Sequence, residues 1–277
     1  MPESPIPFCQ LALRFDAAAL LAELAQFNPA DWRSHFNADY HDGGWTGLAL
    51  RAVDGDTGRL SPGTQPAARY ADTAHLARCP NIRAALERLR CPQQSVRLLR
   101  LAPGGHIREH RDFGLCFEEG VARLHVPLRT NEAVEFYLGG RRIDLREGEC
   151  WYLNFNLPHR VQNHGAGDRI HLVIDCLVDD WLRAQMPSPQ ELRAQLLTPR
   201  LLAAQEASSQ RQLDRFRELV WNDAGLQALL LQPGDEKTLV AAVLREAAAR
   251  NFRFDAEDVR DALLGGRGAW AARWVVR

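Results

Sequence analysis

The spacing of apolar positions changes character twice along the chain. Phe8 to Phe15 alternates apolar and polar residues as a strand does, and Asp16 then stands as the N-cap of an Ala/Leu-rich helix over 17–27 that Asn28-Pro29 ends. Trp32 to Arg51 mixes aromatics, glycines and polar clusters before an apolar strand around Leu48 to Arg51, and turn formers mark Asp54 to Gln65 as a loop. Tyr70 to Arg78 reads as a short irregular or helical piece. Pro80 occupies a first helical position, and Ile82, Leu86 and Leu89 recur at helical spacing until Cys91-Pro92.

From Ser95 the period shortens. Short apolar strands are expected over 95–102, 121–128, 133–138, 142–145, 150–155 and 169–177, with corners at Pro103-Gly104-Gly105, Gly139-Gly140 and Glu147-Gly148. Strands this close together, with no helix between them, predict an antiparallel sandwich or barrel and not a βαβ sheet. After Asp179 good helix formers dominate, and helices are expected over 189–197, 210–231, 236–250 and 256–264, the last capped by Asp255 and stopped by Gly265-Gly266. The boundary expected near Met186 to Pro189 divides a β domain with N-terminal helices, 1–186, from an α-helical segment, 187–277.

Composition narrows the class of function. With 46% apolar and 25% charged residues the 277-residue chain has the makeup of a globular protein, and a formal net charge of -1 offers no basic excess for nucleic acid. Lys237 is the only lysine, so arginine carries nearly all the positive charge. The six cysteines are scattered without a C-x-x-C pair, which suits reduced, buried thiols. Met1 to Pro5 lacks a basic and apolar leader pattern, and no apolar run approaches the length of a membrane span. A cytoplasmic location follows as the expectation.

The candidate chemistry lies between His110 and Arg169. His110-Arg111-Asp112 is an H-x-D, and residues i and i+2 at a strand end point the same way, so His110 and Asp112 can share one metal ion. His159, after Pro158, can complete a set of two imidazoles and one carboxylate, the facial triad of non-heme Fe(II) oxygenases, which leaves positions for dioxygen and a 2-oxo acid. Arg169, ten residues beyond His159, opens an apolar strand, where a buried guanidinium needs an anionic partner. H-x-D alone is a weak motif, and bland readings compete. His110 and Asp112 could be surface and turn residues, His164 could replace His159, Arg169 could pair with Asp175 or Asp144, and His125 could be a core histidine. His106 and His171 read as scaffold.

The segments P-G-G-H-I-R-E-H-R-D, R-L-H-V-P-L, G-E-C-W-Y-L-N-F-N-L-P-H and D-R-I-H-L-V-I-D, spanning about Ser95 to Asp180, resemble the aspartyl/asparaginyl β-hydroxylase family of Fe(II)- and 2-oxoglutarate-dependent oxygenases. The likeness is nearest to a bacterial cis-proline-4-hydroxylase branch, which also has H-R-D, R-x-H-L-V-x-D and an upstream W-x-x-x-x-L-R like Trp45 to Arg51. The resemblance implies a double-stranded β-helix, a jelly roll of cupin type. It also implies iron held by His110, Asp112 and His159, the distal carboxylate of 2-oxoglutarate on Arg169, and His125 against the cosubstrate near the metal. Some members have a serine assisting that carboxylate where this chain has Leu99. The implied reaction is oxidative decarboxylation of 2-oxoglutarate coupled to hydroxylation of an amino acid, either an Asp/Asn-type side chain in a peptide or a free amino acid such as proline.

Candidate substrate contacts are His35, Tyr40, Trp45, Arg111, Arg123 and Trp151. The C-terminal helices, in N-D-A-G-L-Q-A-L-L and N-F-R-F-D-A-E-D-V, resemble a small leader-peptide-binding module, against the plainer options of a lid or a homodimer face. The alternative to an enzyme is a cupin-like binding or sensor protein using the same metal cavity. A cupin isomerase fits less well, because those sites generally use H-x-H with a glutamate and this chain has no H-x-H.

Overall fold

A computed structural model describes residues 5–41, 43–62 and 68–264. The chain divides into two compact units, Met1–Leu201 and Leu202–Arg277. The first contains twelve strands among its described residues: β1 Phe8–Arg14, β2 Arg33–Ser34, β3 Trp45–Val53, β4 Tyr70–Asp72, β5 Gln93–Leu101, β6 His106–His110, β7 Val121–Arg129, β8 Val134–Leu138, β9 Arg141–Arg142, β10 Glu149–Leu153, β11 His159–Asn163 and β12 Arg169–Leu177. They form an eight-stranded sheet in the order β1-β10-β7-β12-β5-β3-β2, with β4 on β3, and a four-stranded sheet in the order β6-β11-β8-β9. The strands described pair antiparallel, with register shifts in several pairs, and from β5 onward successive strands alternate between the two sheets apart from the β8-β9 hairpin. That alternation is the winding of a double-stranded β-helix.

Strand parity decides what each face carries. Along β12, Ile170, Leu172, Ile174 and Cys176 join Leu124, Val126, Val96, Leu98, Leu48 and Leu50 in a core, where the larger sheet packs on Leu20 and Leu24 and on Leu76, Ile82 and Leu86. The other face meets the smaller sheet through Leu99, Leu101, Trp151, Leu153, Val173, Ile107, Phe136, Leu138 and Val161. The larger sheet is thus covered on both sides, which is why its strands read as nearly unbroken apolar runs. The six cysteines are buried and none forms a disulfide.

Four strands escaped the periodicity: the short Arg33–Ser34, Tyr70–Asp72, which opens the piece expected to be irregular or helical, and two that shape the cavity. His106–His110 and His159–Asn163 are polar by composition, yet they pair with each other, His110 opposite His159. The strand expected over 142–145 shrinks to Arg141–Arg142, and the helix expected over 17–27 is α-helical only to Ala22, continuing as a 3-10 turn Glu23–Gln26. The first unit also runs further than the boundary expected near Met186 to Pro189. Trp181, Leu182, Met186 and Leu192 pack on the β core, Gln195 exchanges two 2.9 Å hydrogen bonds with the backbone of Gln10 on edge strand β1, and Arg200 Nη1 donates to the buried Glu149 at 2.6 Å.

The second unit has its own core of Leu213, Phe216, Val220, Leu226, Leu230, Val240, Val243 and Val259. The single helix expected over 210–231 is two, Ser209–Asn222 and Ala224–Leu230, because the Asp223 side chain accepts from Leu226 N and caps a new start. The final helix is Ala256–Leu264, and its expected stop at Gly265-Gly266 lies outside the described residues. Among the described residues no helix is long and apolar enough to cross a membrane.

Gly148 fixes the turn into β10. Its φ is +75°, a Cβ there would lie 2.4 Å from Phe15 O, and its N–H donates to Pro127 O at 2.9 Å. Gly148→Ala should therefore destabilise the fold by more than about 1 kcal/mol, combining a left-handed conformation with a backbone clash, and lower the urea midpoint at unchanged slope.

Candidate active site

The inner face of the larger sheet carries a set of buried polar residues that alternate with its apolar ones. Arg97 on β5, Arg123 and His125 on β7, and Arg169, His171 and Asp175 on β12 are each less than 10% exposed. Arg123, His125 and Arg169 among them border a cavity of about 360 Å³, counting its open mouth, which is also lined by Trp45, Leu99, Ile107, His110, Asp112, Phe136, Phe155, His159 and Val161.

His110 ends β6, His159 begins β11, and strand pairing sets them side by side with ring centroids 4.1 Å apart. Asp112 lies just past the strand end, its N–H donating to Phe155 O at 3.0 Å. One ligand atom from each of His110, Asp112 and His159 falls within 4.8 Å of the others. His110 Nδ1 lies 2.7 Å from Arg108 O and His159 Nδ1 3.1 Å from Leu157 O. A carbonyl can only accept, so each Nδ1 carries a proton, and Nε2 is the ring atom each histidine has left for a metal. Burial, followed by the neighbouring His110, lowers the His159 pKa to about 3, so that ring is neutral near pH 7.

Arg123 holds the carboxylate. Its Nη1 donates to Asp112 Oδ2 at 2.6 Å, while Nε and Nη2 grip Asp175 at 2.6 and 3.0 Å in a bidentate fork. Arg97 donates to Asp175 Oδ2, which it shares with Arg123 Nη2, and to Leu60 O. Burial alone would raise the pKa of Asp112, but Arg123 and the two imidazoles outweigh it and hold the carboxyl below its ordinary range. Asp112 Oδ1 is left 3.9 Å from His110 Nε2. Two imidazoles and one carboxylate oxygen, converging with their second atoms already bonded, are a group that could hold a metal ion.

Arg169 lies across the cavity. It is 2% exposed, and among the described residues it has no carboxylate partner. Asp175 belongs to Arg97 and Arg123, and Asp144 to Arg146 and Arg200, so neither structural pairing expected for Arg169 forms. Its Nη2 donates to His171 Nδ1 at 2.9 Å, and its Nε has no partner. Burial alone lowers its pKa to about 9, which still leaves a cation near pH 7. His125 stacks on Phe155 at 5.2 Å and lies with Nδ1 3.2 Å from His171 Nδ1.

Residues 11–178 match the family described as aspartyl/asparaginyl beta-hydroxylase. The chain belongs to that family. It is 27% identical over 167 residues to an L-proline cis-4-hydroxylase of Rhizobium meliloti (strain 1021), an alignment covering 59% of this chain and 58% of that protein's length. Among solved structures it is similar to a prolyl-4-hydroxylase of Pseudomonas putida, at 13% identity, 62% of this chain, 93% of the other and a TM-score of 0.41. A prolyl hydroxylase of Trichoplax adhaerens, in complex with a hypoxia inducible factor peptide fragment, gives 12% identity, 66%, 88% and 0.41.

The remaining candidates separate into groups. Trp45 lines the cavity with its indole stacked on His35 at 3.3 Å, and Tyr40 stacks on His110 at 4.3 Å. Arg111 is exposed, its only described bond being to Asn156 O at 3.3 Å. Trp151 is 1% exposed, donates to Glu149 and does not line the cavity. His164 is exposed past the end of β11 and outside the three-residue cluster. Arg97, Asp175 and His171 were not singled out as site residues, although the period-2 run R-I-H-L-V-I-D could have found two of them.

Removing the fork tests this arrangement. Arg123→Met should weaken metal binding about 10–100-fold, because Asp112 loses the partner that orients it. Asp175→Ala should cost about 3–5 kcal/mol of stability by leaving two buried guanidiniums without their shared carboxylate. Calorimetric metal titration checks the first and urea unfolding the second.

Proposed function

We propose that this protein is an Fe(II)- and 2-oxoglutarate-dependent dioxygenase that hydroxylates an amino acid. The observation that carries the proposal is Arg169, a buried guanidinium with no carboxylate partner among the described residues, facing the same cavity as three convergent atoms that could hold a metal. A buried cation is expensive unless an anion joins it, and a dicarboxylate with one end at a metal and the other at Arg169 supplies that anion.

The residues fit both iron and 2-oxoglutarate. His110 Nε2, His159 Nε2 and Asp112 Oδ1 would hold iron, which when bound supplies dioxygen activation coupled to decarboxylation of the 2-oxo acid. Arg169 would bind the far carboxylate, and Leu99, Ile107, Phe136 and Val161 would sheathe the carbon chain and exclude water. Arg123 keeps Asp112 ionised and leaves one of its oxygens for the metal. Leu99 gives no hydrogen bond, so Arg169 bears the anion without a hydroxyl from that position.

For the substrate, the proline hydroxylase relative supports a free amino acid such as proline, and the family description supports an Asp or Asn side chain. The exposed guanidinium of Arg111, next to Asp112, is available for a carboxylate, and Tyr40 and Trp45 offer an aromatic wall. Location in the cytoplasm and a homodimer formed through the C-terminal helices belong to the same proposal.

Succinate release from 2-oxoglutarate under Fe(II) and ascorbate, screened over the twenty amino acids and short Asp/Asn peptides, tests the proposal. We expect stimulated, coupled turnover with one substrate class and its loss in His110→Ala and Asp112→Ala. Full turnover in either variant would contradict the ligand assignment, and 2-oxoglutarate binding without any turnover would favour a sensor.

A further inference from the structure

The inner end of the cavity holds a chain of three side chains whose proton positions follow from geometry. Arg169 Nη2 lies 2.9 Å from His171 Nδ1, and the same Nδ1 lies 3.2 Å from His125 Nδ1. A guanidinium has no acceptor, so His171 Nδ1 must be bare. Burial, with Arg169 next in weight, drives the His171 pKa well below the ordinary value, and burial with Arg169 does the same to His125, so both rings are neutral. His171 then carries its proton on Nε2, and His125, facing a bare nitrogen, carries its own on Nδ1.

His125 therefore presents a bare Nε2. That atom is buried without a partner, as is His171 Nε2, and the His125 ring lines the cavity. A carboxylate has only lone pairs to offer, so this tautomer repels the anion that Arg169 attracts.

We infer that His171 is a positioning residue that couples anion binding to a paired tautomer exchange: in the free protein it occupies Arg169 and holds His125 in the Nδ1–H form, and a bound dicarboxylate reverses both. In the bound state His125 carries its proton on Nε2 and donates it to the anion, His171 carries its own on Nδ1 and donates it to His125 Nδ1, and Arg169 Nη2 turns from His171 to the anion. Each ring keeps one proton, so the exchange is neutral in charge. Its effect is selective. A ligand with a lone cationic or apolar end gains nothing from the switch, whereas a carboxylate recovers two donors at once.

The inference rests on the proposal that a dicarboxylate enters this cavity, and one experiment separates the two. Protein labelled with 15N-histidine and loaded with Zn(II), which supports no turnover, is studied by 15N NMR with and without 2-oxoglutarate, since the ring-nitrogen shifts distinguish protonated from bare atoms. The free protein should show His125 as Nδ1–H and His171 as Nε2–H, and saturation should exchange both. In His171→Phe, His125 should show Nε2–H with and without 2-oxoglutarate. Free-state tautomers other than these overturn the inference directly. Ligand-induced shifts at His110 and His159 with unchanged tautomers at His125 and His171 overturn it alone, and no saturable shift at any histidine overturns the dicarboxylate proposal with it.

Discussion

Burying positive charge between two β-sheets is the constraint on which the first unit depends. Three guanidiniums, Arg97, Arg123 and Arg169, lie on the inner face of the larger sheet, each less than 10% exposed. Asp175 compensates the first two, and Asp112 adds to Arg123. Arg169 is compensated by no residue described. Such an imbalance in a buried setting is costly unless an anion from outside restores it, which is the ground for proposing the cavity as a binding site.

The same chain of charge links scaffold to chemistry. Arg97 and Arg123 share Asp175, Arg123 reaches Asp112, and Asp112 lies within reach of His110 and His159. A perturbation at Asp175, deep in β12, is therefore felt at the carboxylate beside the cavity mouth. The backbone carbonyls of Arg108 and Leu157 do the same for the imidazoles, fixing ring and tautomer together. The arrangement of the three proposed metal ligands is thus fixed by contacts that use none of the atoms proposed to bind the metal.

Much of this was legible in the sequence. H-x-D, the later His159 and Arg169 could be read as one constellation, and the apolar runs gave the strands that carry β5, β7, β10 and β12. Besides the short β2 and β4, periodicity missed β6 and β11, because their residues, H-I-R-E-H and H-R-V-Q-N, are polar where they line the cavity and pair with each other. The extent of the first unit is hard to read from sequence for a related reason. The helices after Asp179 have the composition of a separate module, yet Gln195 and Arg200 reach polar partners on β1 and β10 that only the folded sheet brings near. His171 looked like scaffold because a single histidine in an apolar strand usually is, and only its position between Arg169 and His125 gives it a role.

The central claim is that Arg169 waits for the far carboxylate of a metal-chelating 2-oxo acid. The most direct measurement is an anaerobic titration of 2-oxoglutarate into Fe(II)-loaded protein, following the visible charge-transfer absorption of a chelated 2-oxo acid, in the natural protein and in Arg169→Leu. The account predicts a saturable band at one equivalent in the natural protein. It also predicts at least about 10-fold weaker 2-oxoglutarate binding in Arg169→Leu with iron retained, as befits loss of a buried charge-assisted pair. Equal affinity in the two proteins, or no band in either, would contradict it.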